Sequence, residues 1–479
     1  MSKIYGVIKT GAICALLSGS ALLMACSGKS SEALKPSALP DAFIVIDQFG
    51  YEPKARKIAV LRDPQIGADA ALEYTPSSQI NIVNTATGET VLRVKPKAWK
   101  AGQVDELSGD RVWHVDFSKV SQTGRYEIVD AQRGVTSAPF DIKPNVYRPI
   151  FVEAVRNFYY QRAGIEKLPP YIGAPWTDTA SHMQDMSARR FLDKDNPDTE
   201  RDLYGGWYDA GDYNQYTTWT SNYIVTLLLT YAERPEIFTD DFNIPESGNR
   251  IPDVLDEVQW GAAWLARMQS EDGSCLSVLG RAEASPPSAA TEPSYYGDAS
   301  TSATLSCSAA FALSSKIFAQ RRSGRLRQKS ADYKARAIAA WDWAEANPDV
   351  VFRNNDDAAG TSGLAAGQQE VDAAQRAKIR LKATIYLFAL TGEKKYHAVI
   401  RENYKSYDVF QTGFISDFRG FDYDDLLFYA GLPNADRRIA REIKSALRPR
   451  KTINDDPYRS PITEYTWGSN STKSRAGAL

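Results

Sequence analysis

A β-sandwich followed by an all-α domain is the architecture that this 479-residue sequence predicts. Three observations predict it. Short β-patterned runs separated by turn clusters fill residues 43–143. From residue 147 the apolar period changes to that of helices, with apolar residues at i, i+3 and i+4. Hydrophobic residues make up 43% of the chain, enough to bury a core in each part.

The β elements come first. Phe43-Ile44-Val45-Ile46, Lys57-Ile58-Ala59-Val60-Leu61, Ile80-Asn81-Ile82-Val83 and Val112-Trp113-His114-Val115 read as strands. Gly124-Arg125-Tyr126-Glu127-Ile128 and Ala138-Pro139-Phe140-Asp141-Ile142 close the series. Strands of this length and spacing over ~100 residues predict a sandwich of immunoglobulin type. Helices are expected over 147–164, 219–231, 254–269, 302–318, 331–347, 372–390 and 437–447, with no strand series between them. Unusual residues gather in the loops: a Gly/Trp/Tyr/Asp segment at 205–213, Ser285-Pro286-Pro287, Tyr295-Tyr296-Gly297 and the aromatic stretches at 455–459 and 465–470. Gly, acids and aromatics in the loops of a helical scaffold are a common way to build a binding cleft.

The N-terminus has its own logic. Lys3 and Lys9 precede an apolar stretch over 11–25, which is shorter than the ~20 residues of a membrane span and reads as an export signal. Leu22-Leu23-Met24-Ala25-Cys26 resembles a bacterial lipobox, so Cys26 is expected to be lipidated and to become the mature N-terminus. With Ser27 after it, the expected location is the cell envelope, at the outer membrane. The Ser/Lys/Pro-rich residues up to 42 then form a tether, and the lipid is the chain's only expected membrane contact.

Composition removes several function classes. A net charge of -2 offers no basic excess for nucleic acid. G-x-S-x-G, Walker and dinucleotide glycine patterns are absent, as is HExxH, and the three His are scattered. Once Cys14 and Cys26 leave with the signal and the lipid, Cys275 and Cys307 remain, either as a disulfide or as two buried thiols.

The chemistry centres on Asp209 and Asp212, three apart with Ala210-Gly211 between them and Tyr208 and Tyr213 outside. Two carboxylates facing one small volume can hold and polarise a water molecule, one taking its proton and the other orienting it. An acidic turn with helix-capping aspartates has the same spacing. A calcium loop needs a D-x-D-x-D-G pattern that is missing.

The surrounding residues weigh for the chemistry. Gly205-Gly206-Trp207-Tyr208-Asp209-Ala210-Gly211-Asp212-Tyr213 closely resembles the signature of glycoside hydrolase family 9, the cellulase family. Ile251-Pro252-Asp253-Val254-Leu255-Asp256-Glu257 with Trp260 and Trp264, Ser300-Thr301-Ser302-Ala303-Thr304-Leu305, Trp341-Asp342-Trp343-Ala344 and Trp467-Gly468-Ser469-Asn470 extend the resemblance. Asp47-Gln48-Phe49-Gly50-Tyr51 resembles the opening of the immunoglobulin-like domain that precedes many members. The resemblance implies an (α/α)6 barrel over 147–479 that hydrolyses β-1,4-glucosidic bonds in cellulose or related β-glucans with inversion. By position, Asp212 would be the general base and Asp209 would hold the same water. Trp207, Tyr213, Arg459 and Trp467 would line the cleft.

Two departures qualify the resemblance. Where many members hold zinc through two Cys and two His, this chain has Ala163, Ser181 and His182, so no zinc is expected; the scattered acids leave room for structural calcium. The family's general acid is a Glu in an N-E-x-x-x-x-x-N segment; none of the 479 residues matches it and Glu464 lies in another context, so the barrel reads as C-terminally incomplete, with its acid expected beyond residue 479. Two other readings are open: an exo-acting β-glucosidase or glucosaminidase of the same family, and a glycan-binding lipoprotein without catalysis.

Overall fold

The computed structural model describes residues 42–280, 283–412, 423–448 and 456–460, together with Asn470 and Ser474. Cys26 and Trp467 lie outside the described residues. The first part is two antiparallel sheets. One runs in the order β1 (Ile44–Val45), β2 (Ile58–Pro64), β6 (Asp110–Asp116), β5 (Lys97–Ala98). The other runs β4 (Thr90–Val94), β3 (Ile80–Asn84), β7 (Gly124–Asp130), β8 (Val135–Thr136), and β9 (Phe140–Ile142) also pairs with β7. Alternation decides which face turns inward: Ile80, Ile82, Tyr126, Ile128, Phe140 and Ile142 bury their side chains against Ala59, Leu61 and Val115 of the facing sheet. Every predicted strand is present, and β4, β5 and β8 are additional.

Hydrogen bonds fasten the sandwich to the helical part. Tyr147 donates its hydroxyl to Asp47 Oδ2 at 2.8 Å, and the Val146 amide donates to Glu52 Oε1 at 3.1 Å. The 47–51 segment is thus part of the joint between the two domains.

The second part is helical. Its helices are α1 (Arg148–Gln161), α2 (Thr217–Glu233), α3 (Asp253–Met268), α4 (Thr301–Ala319), α5 (Gly324–Ala346), α6 (Ala373–Thr391), α7 (Lys394–Asn403), α8 (Asp408–Thr412), α9 (Asp424–Gly431) and α10 (Arg437–Ala446). Side-chain caps begin several: Ser300 for α4, Ser323 for α5, Asp372 for α6 and Asp436 for α10 each accept from an amide in the first turn. Gly392, at φ +71°, ends α6 in the left-handed conformation that glycine adopts without cost.

Packing sorts these helices into two layers. α2, α4, α6 and α9 neighbour one another in succession, while α3, α5, α7 and α10 each pack on the preceding inner helix. That is the inner and outer pairing of an (α/α)6 barrel. α4 explains the arrangement: its Ala- and Ser-rich sequence is buried on nearly every side, so both neighbours and an outer helix approach closely.

One expectation is corrected. The helical domain contains a four-stranded sheet in the order β10 (Arg189–Arg190), β13 (Tyr295–Tyr296), β12 (Val278–Gly280), β11 (Gln215–Tyr216). Its strands are two or three residues long, too short to show a period-two pattern in the sequence. Cys275 and Cys307 are free buried thiols. Among the described residues, no helix is long and apolar enough to cross a membrane.

Candidate active site

The 205–213 segment is a loop sewn in at both ends. At its start, the residues after α1 pair with it: Ala163 N–H donates to Gly206 O at 2.9 Å and Tyr208 N–H to Gln161 O at 2.8 Å. At its end, β11 pairs with β12, Gln215 opposite Leu279 and Tyr216 opposite Val278. Gln215 Nε2 reaches back to Gly205 O at 2.7 Å. Gly206 has to be glycine: its φ is +75°, and a Cβ would lie 2.0 Å from Gln215 Oε1 and 2.7 Å from the Trp264 ring.

Between these anchors the chain turns tightly. Asp209 N–H donates to Asn214 O at 2.9 Å, and Tyr213 N–H to Ala210 O at 3.1 Å. The left-handed residue of the turn is Tyr213, at φ +53°, and not Gly211 between the two aspartates. A non-glycine residue there is uncommon. The Tyr213 ring is supported by Tyr208 and His182, with centroids 5.0 and 5.5 Å away.

The turn brings Asp209 and Asp212 close enough to interact. Burial raises the Asp209 pKa above the ordinary carboxylate value; the Tyr223 hydroxyl, donating to Oδ1 at 3.2 Å, opposes this, and the charge of Asp212 adds to it. Asp212 is oriented by Asn214, whose Nδ2 donates to Oδ2 at 2.8 Å. Asp212 Oδ1 is buried and accepts no hydrogen bond from the described residues. Behind the pair, Tyr216 packs on Trp219 with the rings tilted by 42° and centroids 3.9 Å apart, accepts the Gly367 amide at 2.7 Å, and has its hydroxyl pKa pushed up to about 12 by burial. Phe352, Leu364 and Ala365, ahead of α6, complete that wall.

The expected cleft residues fare differently. Tyr213 borders the pair. Trp207 is 2% exposed, with its indole N–H on Glu257 Oε2 at 3.2 Å and its ring edge-on to Phe158. This corrects its cleft assignment: a ring in the core presents no face to a sugar. Arg459 is exposed, and its neighbours dock on the β-sandwich, where His114 Nε2 meets Pro457 O at 2.7 Å and Tyr458 bonds Asp110. These contacts tie the 456–460 segment that carries Arg459 to the sandwich.

Sequence reading missed Tyr223, Asn214 and Tyr216. Asn214 directly follows the motif and Tyr216 lies three residues past its end, so both could have been flagged by proximity. Tyr223, 14 residues from Asp209, meets it only because α2 folds back beside the turn.

The residues at the family's zinc position do not fit that ion. Ala163 offers no donor atom, the Ser181 hydroxyl bonds to Tyr208, and the Tyr208 hydroxyl lies 3.3 Å from His182 Nδ1. One imidazole and two hydroxyls hydrogen-bonded together are not a tetrahedral Cys/His set.

Comparison with known proteins agrees with this geometry. The cellulase N-terminal ig-like domain model matches residues 40–134, and the glycosyl hydrolase family 9 model matches residues 147–477. The chain is 29% identical over 372 residues to the xyloglucan-specific endo-beta-1,4-glucanase of Bacteroides ovatus, which covers 73% of this chain and 56% of that protein. It is 26% identical over 499 residues to the cellulose 1,4-beta-cellobiosidase of Acetivibrio thermocellus, covering 90% and 53%. The chain spans about half the length of these curated relatives. Among solved structures, a metagenome-derived glycoside hydrolase family 9 endoglucanase aligns with a TM-score of 0.75 at 27% identity, covering 91% of this chain and 78% of that one. A Bacteroides ovatus GH9 structure aligns with a TM-score of 0.73 at 25% identity, covering 88% and 76%. The signature loop, the paired helices and a family match along almost the whole helical part agree: the chain belongs to glycosyl hydrolase family 9.

Proposed function

We propose that the protein hydrolyses β-1,4-glucosidic bonds in cellulose or a related β-glucan, with inversion at the anomeric carbon. The observation that carries this reading is Asp212 Oδ1, a buried carboxylate oxygen with no protein donor among the described residues, while its partner oxygen is held by Asn214. A carboxylate with one oxygen held by a donor and the other without one keeps lone pairs that can take a proton from a water molecule. Asp209 is the second anchor of that water, its own orientation set by Tyr223. The attacking water must sit on the opposite face of the sugar from the proton donor, so this mechanism requires a second carboxyl, about 6.5–9.5 Å away, to protonate the leaving oxygen, and neither Asp209 nor Asp212 is that group. The relatives' names support the substrate class, one a xyloglucan-specific endoglucanase and another a cellobiosidase.

Asp212→Asn keeps the shape and loses the base. It should abolish release of reducing sugar from soluble β-glucans while oligosaccharide binding persists, and Asp209→Ala should be nearly as damaging. Wild-type protein should release the α-anomer first, read by NMR. Asp212→Asn turnover within a few-fold of wild type, or a β-anomeric first product, would remove the assignment. We also propose that the protein is exported and held at the envelope by a lipid on Cys26, which puts the site where glucan fragments arrive.

A further inference from the structure

Behind the signature loop lies a buried charge cluster that takes no part in water activation. Glu257, on α3, has a fully buried side chain, as does Arg162, just past α1. Arg162 Nε donates to Glu257 Oε2 at 3.1 Å, and a terminal nitrogen lies 2.9 Å from Oε1. Its remaining contacts are with Glu246, at 3.0 and 3.1 Å, and with the Trp260 ring face, 4.8 Å away. Lys167 closes the cluster by donating to Arg162 O at 2.6 Å. Placing charges in a dry core is costly, and replacing them with apolar residues is often neutral or stabilising. Stability alone is a poor reason for the cluster.

Its placement offers another reason. Arg162 and Trp207 face each other as the central pair of the short antiparallel bridge formed by 161–163 and 206–208. Glu257 Oε2 accepts from both side chains, the Arg162 guanidinium and the Trp207 indole. One carboxylate therefore holds the two strands of the bridge together from behind. α3 adds a second tie, Trp260 Nε1 donating to Gly206 O at 2.8 Å. Asp209 follows Tyr208, whose amide makes the last hydrogen bond of the bridge.

We propose that Glu257 is a positioning residue that sets Asp209, and through the turn Asp212, by clamping Arg162 to Trp207. Glu257 touches no substrate. Its effect travels through two hydrogen-bonded side chains into the backbone at Trp207, two residues ahead of the water-holding carboxylate. The catalytic consequence rests on the proposed glucan hydrolysis; the clamp itself does not.

The test uses the full chain with Glu257→Gln, which keeps the volume and removes the charge, and Trp207→Phe, which removes only the indole donor and its far ring. Amide hydrogen exchange should rise about tenfold or more in peptides spanning 161–163 and 204–209 in both variants, while the sandwich and α4 exchange as in wild type. On a soluble cello-oligosaccharide, kcat should fall about tenfold to a hundredfold with KM within twofold, because a small misplacement of the water-holding group acts on the transition state. The double variant should be no worse than the more damaged single one, since both remove the same tie. Wild-type exchange at 204–209 in both variants would overturn the clamp. Faster exchange with unchanged kcat, or a loss confined to KM, would overturn the positioning role. If wild-type protein cleaves no β-glucan, the functional reading falls, and the exchange data still decide whether Glu257 holds the loop. Should Glu257→Gln not fold, Trp207→Phe decides.

Discussion

Removing the Tyr223 hydroxyl should move the acid limb of the activity profile toward higher pH and leave the plateau in place. Two opposed influences meet at Asp209. Burial favours its neutral form, and the hydrogen bond from Tyr223 favours the ionised form. A hydrogen bond to a charged group contributes about 1.5–3 kcal/mol. At 3.2 Å this one is longer than the usual O–H···O distance, and Asp209 is only half-buried, so solvent screens it. The lower figure, about 1.5 kcal/mol, is appropriate, and it corresponds to about a tenfold change in the protonation equilibrium. Tyr223→Phe should therefore lose about tenfold in kcat/KM at a pH on the acid limb and little on the plateau, where Asp209 is ionised in both proteins. The sign of the stability effect comes from the same shift. Asp209 has a folded-state pKa above its unfolded value, so its contribution is present below the unfolded value and is lost as pH rises through the folded one. Tyr223→Phe should move that loss to higher pH. The assay is kcat/KM against pH on a soluble β-glucan, with thermal melts across the same range. An acid limb that stays put in Tyr223→Phe would refute the reasoning, as would a uniform loss at all pH values.

Two further perturbations test packing and anchoring. A Cβ at Gly261 would lie 2.2 and 2.3 Å from atoms of the Trp207 ring, which Phe158 and Glu257 hold from other sides. Gly261→Ala should destabilise despite the ~1 kcal/mol that alanine gains in a helix, because overpacking costs about 1–3 kcal/mol. A thermal midpoint at or above wild type would show that Trp207 can move aside. Cys26→Ala should shift the protein from the membrane fraction to the soluble one, since an acyl chain contributes about 0.8 kcal/mol per buried CH₂. Unchanged partitioning would place the anchor elsewhere.

Much of this protein could be read along the chain, for physical reasons that differ by element. α4, buried on nearly every side, shows as a long run of small and apolar residues, whereas α3 and α10 announce themselves through apolar residues at helical spacing with polar ones between, a local signal. The sandwich strands do so through alternation, visible in β3 and β7 because one face of each is dry. β10 to β13 escaped because strands of two or three residues show no period, and β10 pairs with β13 more than a hundred residues along the chain. The signature loop was legible because its glycines, aromatics and acids are contiguous. Its aspartates could be named from residue types alone. The role of Trp207 was misread for the same reason: an aromatic beside two acids looks the same in sequence whether it faces a sugar or Glu257. Only tertiary structure sends that indole inward, through an α3 whose Gly261 leaves room for the ring. Likewise, only the folding back of α1 and α2 brings Arg162 and Tyr223 to the loop. Local composition determined which groups could do chemistry; long-range packing decided how each carboxylate is oriented, because burial and hydrogen-bond partners belong to neighbours distant in the chain.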